Sequence, residues 1–179
     1  MIYEFLADGF ELVEAMTPLD MLRRGGKEII TVSITDSLYV KSSNGVTVKA
    51  DKLIAELNSD IPEAVILPGG MPGASNLRAS EKVCEITVKA AEAGKVVSAI
   101  CAAPFVLGEL GLLDGKEAIC YPGFEDKLIG AEISSKHVVT DGNIITAAGM
   151  GVALPFSYEL TAVLCGKDKA DAIMKSIMC

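Results

Sequence analysis

The apolar positions of this chain fall into short runs separated by longer stretches in which apolar and polar residues alternate at helical spacing. Four runs rich in Val, Ile and Leu read as strands: Ile2 to Leu6, Glu28 to Thr35, Ala64 to Leu67 and Val96 to Ile100. Between them, Glu11 to Arg24 reads as a helix stopped by Gly25-Gly26. A second helix, Ser80 to Ala93, is announced by Ser80 with Glu81 and Glu85 and stopped by Gly94. Apolar strands joined by crossover helices predict a mostly parallel sheet with both faces covered. Leu38 to Lys49 around Asn44-Gly45 and His137 to Thr146 around Asp141-Gly142 carry tight-turn dipeptides and predict two hairpins that decorate the parallel core. Gly151 to Leu164 and Lys167 to Met178 read as closing helices separated at Gly166. With no linker, repeat or low-complexity segment, 179 residues are expected to form one domain over 1–179.

Composition narrows the partners. Half the residues are apolar, but no run approaches the ~18 residues that span a bilayer. The opening Met1-Ile2-Tyr3-Glu4 lacks the basic start and apolar stretch of a signal peptide, so a cytoplasmic location is expected. A formal charge of -8 disfavours nucleic acid and anionic membranes, which leaves small molecules and proteins. The five cysteines are odd in number and form no C-x-x-C pair, which argues against a zinc site and a disulfide framework. No metal and no cofactor is expected, and the G-x-x-x-x-G-K-[ST] phosphate loop is absent.

The candidate chemistry gathers where strands end. Val96 to Ile100 turns into Cys101-Ala102-Ala103-Pro104-Phe105, which puts a thiol at a strand-to-helix turn with small neighbours. Residue type alone reads Cys101 as a small buried hydrophobe; its position, at the ligand-binding edge and near free N–H groups that favour thiolate, reads it as a nucleophile. Leu67-Pro68-Gly69-Gly70-Met71-Pro72-Gly73 follows another strand at the same edge. The loop is either an ordinary turn or, with the N–H groups of Gly70 and Ala102, a cradle for an oxyanion or sulfinate oxygen. Asp8-Gly9-Phe10-Glu11-Leu12-Val13-Glu14 follows the first strand and brings Glu11 and Glu14 to that edge. Spacing leaves open whether either faces the thiol or both merely complement the helix dipole.

Taken together, these segments resemble the ThiJ/PfpI superfamily, in the branch that includes the human parkinsonism-associated protein and its bacterial relatives. The resemblance covers nearly the whole chain. It rests on Ala7 to Glu14, on Leu67-Pro68-Gly69-Gly70 with Gly73 to Leu77, and on Ala99-Ile100-Cys101-Ala102-Ala103-Pro104. Pro18 to Gly25, Thr146 to Gly151 and Cys165-Gly166-Lys167 also match. The resemblance implies a flavodoxin-like three-layer α/β/α sandwich with a mostly parallel central sheet, of the class I glutamine amidotransferase-like type, usually as a homodimer. It assigns the oxidation-sensitive nucleophile to Cys101, the protonated acidic partner to Glu14, the oxyanion donors to the backbone of Gly70 and Ala102, and pocket positions to Gly69 and Tyr121.

The chain departs from the superfamily in two places. The protease-like branch has His directly after the nucleophile, where Ala102 stands here, so peptidase activity is not expected. Some members carry a His-Pro step where this chain has Tyr121-Pro122, and a phenol of pKa near ~10 is a poor base at neutral pH. The single histidine, His137, reads as part of an outer hairpin strand away from the pocket. Cys120 reads as a strand-end core thiol, and Cys84, Cys165 and Cys179 as helix or terminal thiols. The leading expectation is a cofactor-independent enzyme in which Cys101 attacks a small dicarbonyl such as methylglyoxal. That makes it either a glyoxalase III-like lyase or a hydrolase that deglycates protein or nucleotide adducts. The alternative is a redox sensor or chaperone that uses Cys101 oxidation without turnover. A thiazole-biosynthesis or kinase role gains no support.

Overall fold

The computed structural model describes residues 1–179. In chain order the strands are β1 (Ile2–Leu6), β2 (Ile29–Ser33), β3 (Tyr39–Lys41), β4 (Thr47–Lys49), β5 (Lys52–Leu53), β6 (Ala64–Leu67), β7 (Val96–Ile100), β8 (Glu117–Ala118), β9 (Glu132–Ile133), β10 (Val138–Asp141) and β11 (Ile144–Ala147). The helices are α1 (Leu12–Arg24), α2 (Gly73–Ala79), α3 (Glu81–Glu92), α4 (Pro104–Glu109), α5 (Ala153–Cys165) and α6 (Lys167–Ser176). Seven strands form one sheet in the order β10-β11-β7-β6-β1-β2-β5, parallel except at β10. No helix is long and apolar enough to cross a membrane.

Helices cover both faces, which is why β1, β6 and most of β7 are buried along their whole length instead of alternating. On one face Ile2, Ile66 and Ile100 pack with Leu22 of α1 and with Phe156 and Leu160 of α5. On the other, Phe5, Leu67 and Val97 pack with Leu77 of α2, Val83 of α3 and Val106 of α4. Each such side chain contributes about 1.5–3 kcal/mol through burial. The two apolar layers fix the heights at which the strands end, and therefore the edge that carries Cys101. This is the flavodoxin-like three-layer sandwich that the resemblance implies. Ser80 caps α3 by accepting the Val83 N–H, and Gly166, at φ +90°, separates α5 from α6.

Several expectations need correcting. The hairpin around Asp141-Gly142 is no decoration: β11 is a fully buried strand paired in parallel with β7, and only its partner β10 runs antiparallel at the edge. Its run Ile144-Ile145-Thr146-Ala147 is buried throughout, as an interior strand requires. Helix α2 emerges from the glycine-rich loop, where Gly73 leaves no apolar signal at the helix start. The short pairs β5 with β2 and β8 with β9 are too brief for a sequence period to register. Helix α5 begins at Ala153, after a 3-10 turn over Met150–Val152.

One residue breaks the apolar pattern of the central strand. Glu4, in the middle of β1 opposite Thr31 and Ile66, is 0% exposed, and neither carboxyl oxygen has a hydrogen-bond partner. Burial pushes its pKa well above the usual carboxylate range; Arg23 opposes the shift and Asp51 adds to it.

Candidate active site

The elbow after β7 is strained. Cys101 sits at φ +64°, a conformation that side chains other than glycine rarely adopt and that costs about 1–3 kcal/mol. The fold holds it there from both sides: the Cys101 N–H donates to the Ala147 carbonyl at 2.9 Å, and the Cys101 carbonyl accepts the Tyr121 N–H at 2.7 Å. The thiol is half-buried. The N–H groups of Gly70 and Ala102 point at its sulfur and favour the thiolate. Helix α4 has only six residues, so these two backbone donors, rather than a long helix dipole, supply the local positive potential.

The loop after β6 fits against this elbow with no room to spare. A methyl group on Gly69 would lie 2.6 Å from the Cys101 Cβ, 2.7 Å from Glu14 Oε2 and 2.7 Å from the Ile100 carbonyl oxygen. Glycine is therefore required at this close approach. Its N–H donates to Glu14 Oε2 at 2.9 Å. Gly70 adopts φ +84°, which turns its N–H toward the sulfur.

Glu14, in the first turn of α1, is fully buried and lies against the Cys101 thiol. Its second oxygen, Oε1, accepts from no nitrogen or oxygen donor. A buried carboxylate oxygen without a donor is costly, and a proton on Oε1 directed at the sulfur removes that cost. Burial pushes the Glu14 carboxyl up to about 7; Cys101 opposes the shift, Glu11 adds to it, and the Gly69 N–H opposes it. Burial, then the charge and hydrogen bond of Glu14, push the Cys101 thiol up to about 12 against the N–H groups of Gly70 and Ala102. The two acids titrate as a unit. Once the first proton has left, the second is shared, and the arrangement with thiolate and protonated Glu14 turns the carboxyl from a repelling charge into a donor.

Glu14 and not Glu11 faces the thiol. Glu11 is the N-cap of α1, accepting the Glu14 N–H on Oε2 at 2.8 Å. Tyr121 is 52% exposed, and its ring stands beside Gly149, where an added methyl would lie 3.3 Å from Tyr121 Cδ2 and 4.0 Å from the Cys101 sulfur. Gly149 thus keeps the approach to the sulfur open. Sequence reasoning gave it no role, although it stands in the segment Thr146 to Gly151 that matched the superfamily. His137 is exposed, but its carbonyl accepts the Ala148 N–H, which puts it at the Cys101 end of the sheet with β11 between. The chain reversal into β10 brings it there, contrary to the placement expected from sequence. Cys120 is buried in the core, and burial pushes its thiol up to about 11. No three His, Cys, Asp or Glu side chains are grouped to hold a metal ion.

Comparison with known proteins bears on this geometry. The model of the DJ-1/PfpI family matches residues 1–162. The chain is 36% identical over 167 residues to Protein DJ-1 homolog B of Arabidopsis thaliana, an alignment covering 92% of this chain but 38% of that protein, so it spans well under half of that relative. It is 32% identical over 160 residues to Deglycase PfpI of Pyrococcus furiosus, covering 88% of this chain and 95% of that one. Among solved structures, oxidized DJ-1 of Toxoplasma gondii superposes with a TM-score of 0.95 at 35% identity, covering 99% and 97% of the two chains. A family match over most of the chain, a relative of this identity aligned nearly end to end, and a shared fold lead to one conclusion: the chain belongs to the DJ-1/PfpI family.

Proposed function

We propose that this protein is a cysteine-dependent, cofactor-independent enzyme acting on small reactive dicarbonyls or their early adducts, with Cys101 as nucleophile and Glu14 as proton shuttle. The observation that carries this reading is the buried Glu14 carboxyl, whose oxygen Oε1 lacks a donor, beside a thiol held at a strained elbow. With methylglyoxal, the thiolate adds to the aldehyde carbon and a C–S bond forms. The electron pair moves to oxygen, and the Glu14 proton neutralises that oxygen to give a hemithioacetal. The N–H groups of Gly70 and Ala102 stabilise the oxyanion as it develops. Glu14, now ionised, takes the proton from the former aldehyde carbon. The hydroxyl proton on that carbon passes to the neighbouring carbonyl oxygen, reprotonation at the neighbouring carbon leaves a thioester, and water releases lactate and the free thiol. The same addition to the carbonyl end of an early glycation adduct would release the amine, a reading supported by the deglycase name of the Pyrococcus relative.

The test is lactate formation from methylglyoxal by purified protein, with Cys101→Ser and Glu14→Gln alongside. Production by wild type and loss in both folded variants supports the enzyme reading. Absence of lactate, with selective conversion of Cys101 to sulfinate by mild peroxide, replaces it with the redox-sensor reading. The same two N–H donors and the carboxyl favour that alternative, since each also suits an oxidised sulfur. For the homodimer implied by the resemblance, the fitting surface is the apolar face of Leu12, Val13 and Met16 on α1 with Leu154 and Ile177, where Val13 is 42% exposed.

A further inference from the structure

We infer that Glu11 is a positioning residue for the Cys101–Glu14 pair: by capping α1 with a charged carboxylate it locks Glu14 to the Gly69 loop and directs the shared proton to Glu14 rather than to the sulfur. This role rests on the proton-sharing pair proposed above.

Three hydrogen bonds close a ring. The Glu14 N–H donates to Glu11 Oε2 at 2.8 Å, the Gly69 N–H donates to Glu14 Oε2 at 2.9 Å, and the Glu11 N–H donates to the Gly69 carbonyl at 2.9 Å. The ring has no slack. A methyl on Gly70 would lie 2.5 Å from the Glu11 nitrogen, and one on Gly73 would lie 2.6 Å from the Phe10 nitrogen, so the start of α1 and the oxyanion loop touch backbone to backbone. Any displacement of Glu11 is therefore passed to both the Glu14 carboxyl and the Gly70 N–H.

The residue type supports a role beyond capping. Ser, Thr, Asp and Asn are the favoured N-caps because a short side chain reaches the free N–H groups with little loss of entropy. Glutamate caps less economically, and what it adds here is a negative charge next to Glu14. The groups facing Glu14 are the Cys101 thiol from the elbow after β7, the Gly69 N–H from the loop after β6, and Glu11 from the start of its own helix. The Glu11 charge raises the Glu14 pKa and is not among the causes acting on Cys101. It therefore penalises one of the two singly protonated arrangements selectively, the one with ionised Glu14 and neutral thiol.

The test is the pH dependence of iodoacetamide modification at Cys101, followed by mass spectrometry of the intact chain's Cys101 peptide, in wild type, Glu11→Gln and Glu11→Asp. Glutamine keeps an acceptor for the Glu14 N–H but removes the charge; aspartate keeps both a cap and the charge. Wild type should show a rise in rate with a midpoint near 7. In Glu11→Gln the midpoint should fall by about half a unit or more and the plateau by about threefold, with the melting temperature little changed, while Glu11→Asp restores the wild-type profile. A loosened helix alone would lower the melting temperature without moving the midpoint. A Glu11→Gln profile superimposed on a sloped wild-type profile overturns the role of Glu11 and spares the pair. A flat wild-type profile overturns the pair, and this role with it.

Discussion

Glu4 and Glu14 are both fully buried, both carry carboxyl oxygens without a donor, and burial raises the pKa of both. They differ in what lies within reach. Glu14 stands where strands end and loops converge, so a backbone N–H holds one oxygen and a thiol faces the carboxyl. Glu4 stands mid-strand between β2 and β6, where ladder bonds occupy the backbone, and the two charged groups that act on it, Arg23 and Asp51, are paired with each other at 2.9 Å. Under the proposed function, a carboxylic acid hidden from water is thus a reagent in one place and a cost in the other, depending on whether a partner is present to share its proton. The difference belongs to the two ends of one architecture: the middle of a parallel sheet excludes polar partners, and its carboxyl edge assembles them.

The comparison can be broken from either side. The largest effect should come from Glu14→Gln, which keeps a donor toward the sulfur but cannot shuttle a proton. Turnover of methylglyoxal should fall about a hundredfold or more in a steady-state assay while Cys101 still reacts with iodoacetamide. Next is Gly69→Ala, whose added methyl meets the Ile100 carbonyl oxygen and Glu14 Oε2 at 2.7 Å. Denaturant unfolding should show a loss of about 1–3 kcal/mol together with lost turnover. Glu4→Leu should change stability in the opposite direction, gaining about 1–2 kcal/mol near neutral pH with turnover intact. The pH dependence of that gain follows from the direction of the shift. Below the unfolded value near ~4.3 both states are protonated and the variant's pH-dependent advantage vanishes; as pH rises above it the unfolded chain ionises while folded Glu4 holds its proton, so wild-type stability falls until the folded pKa is reached. The Glu14–Cys101 pair contributes the same kind of slope only up to about 7, where it loses its first proton. The smallest effect belongs to Gly149→Ala, whose methyl would sit 4.0 Å from the sulfur and 3.3 Å from the exposed Tyr121 ring, which must give slightly as the approach narrows. It should raise KM a few-fold with kcat nearly unchanged.

Much of this was legible in the sequence, for identifiable reasons. The strands Ile2–Leu6, Ala64–Leu67 and Val96–Ile100 are each followed within four residues by a Gly or Pro, so the edge carrying Cys101 followed from their ends. The choice of Glu14 over Glu11 came from resemblance alone, because residues three apart in a first turn are indistinguishable until the helix is docked; docking then gave one to the sulfur and the other to the cap. Glu4 was illegible because a lone acid inside Ile2-Tyr3-Glu4-Phe5-Leu6 looks like a solvent-facing position, and only the strand order, with β1 between β6 and β2, makes both faces interior. The edge placement of His137 was hidden for the same kind of reason, since it depends on β11 joining the sheet beside β7.

The central claim is that Glu14 holds a proton toward Cys101 near neutral pH, and infrared spectroscopy of protonated carboxyl groups across a pH titration tests it most directly. The account predicts two buried protonated carboxyl bands that both persist across the step near pH 7 at which the pair loses its first proton: one absent in Glu14→Gln, and a second absent in Glu4→Leu. If the Glu14 band is lost across that step, leaving only the band removed by Glu4→Leu, the first proton has left Glu14 and not the thiol, and its part as proton donor to the thiolate is contradicted.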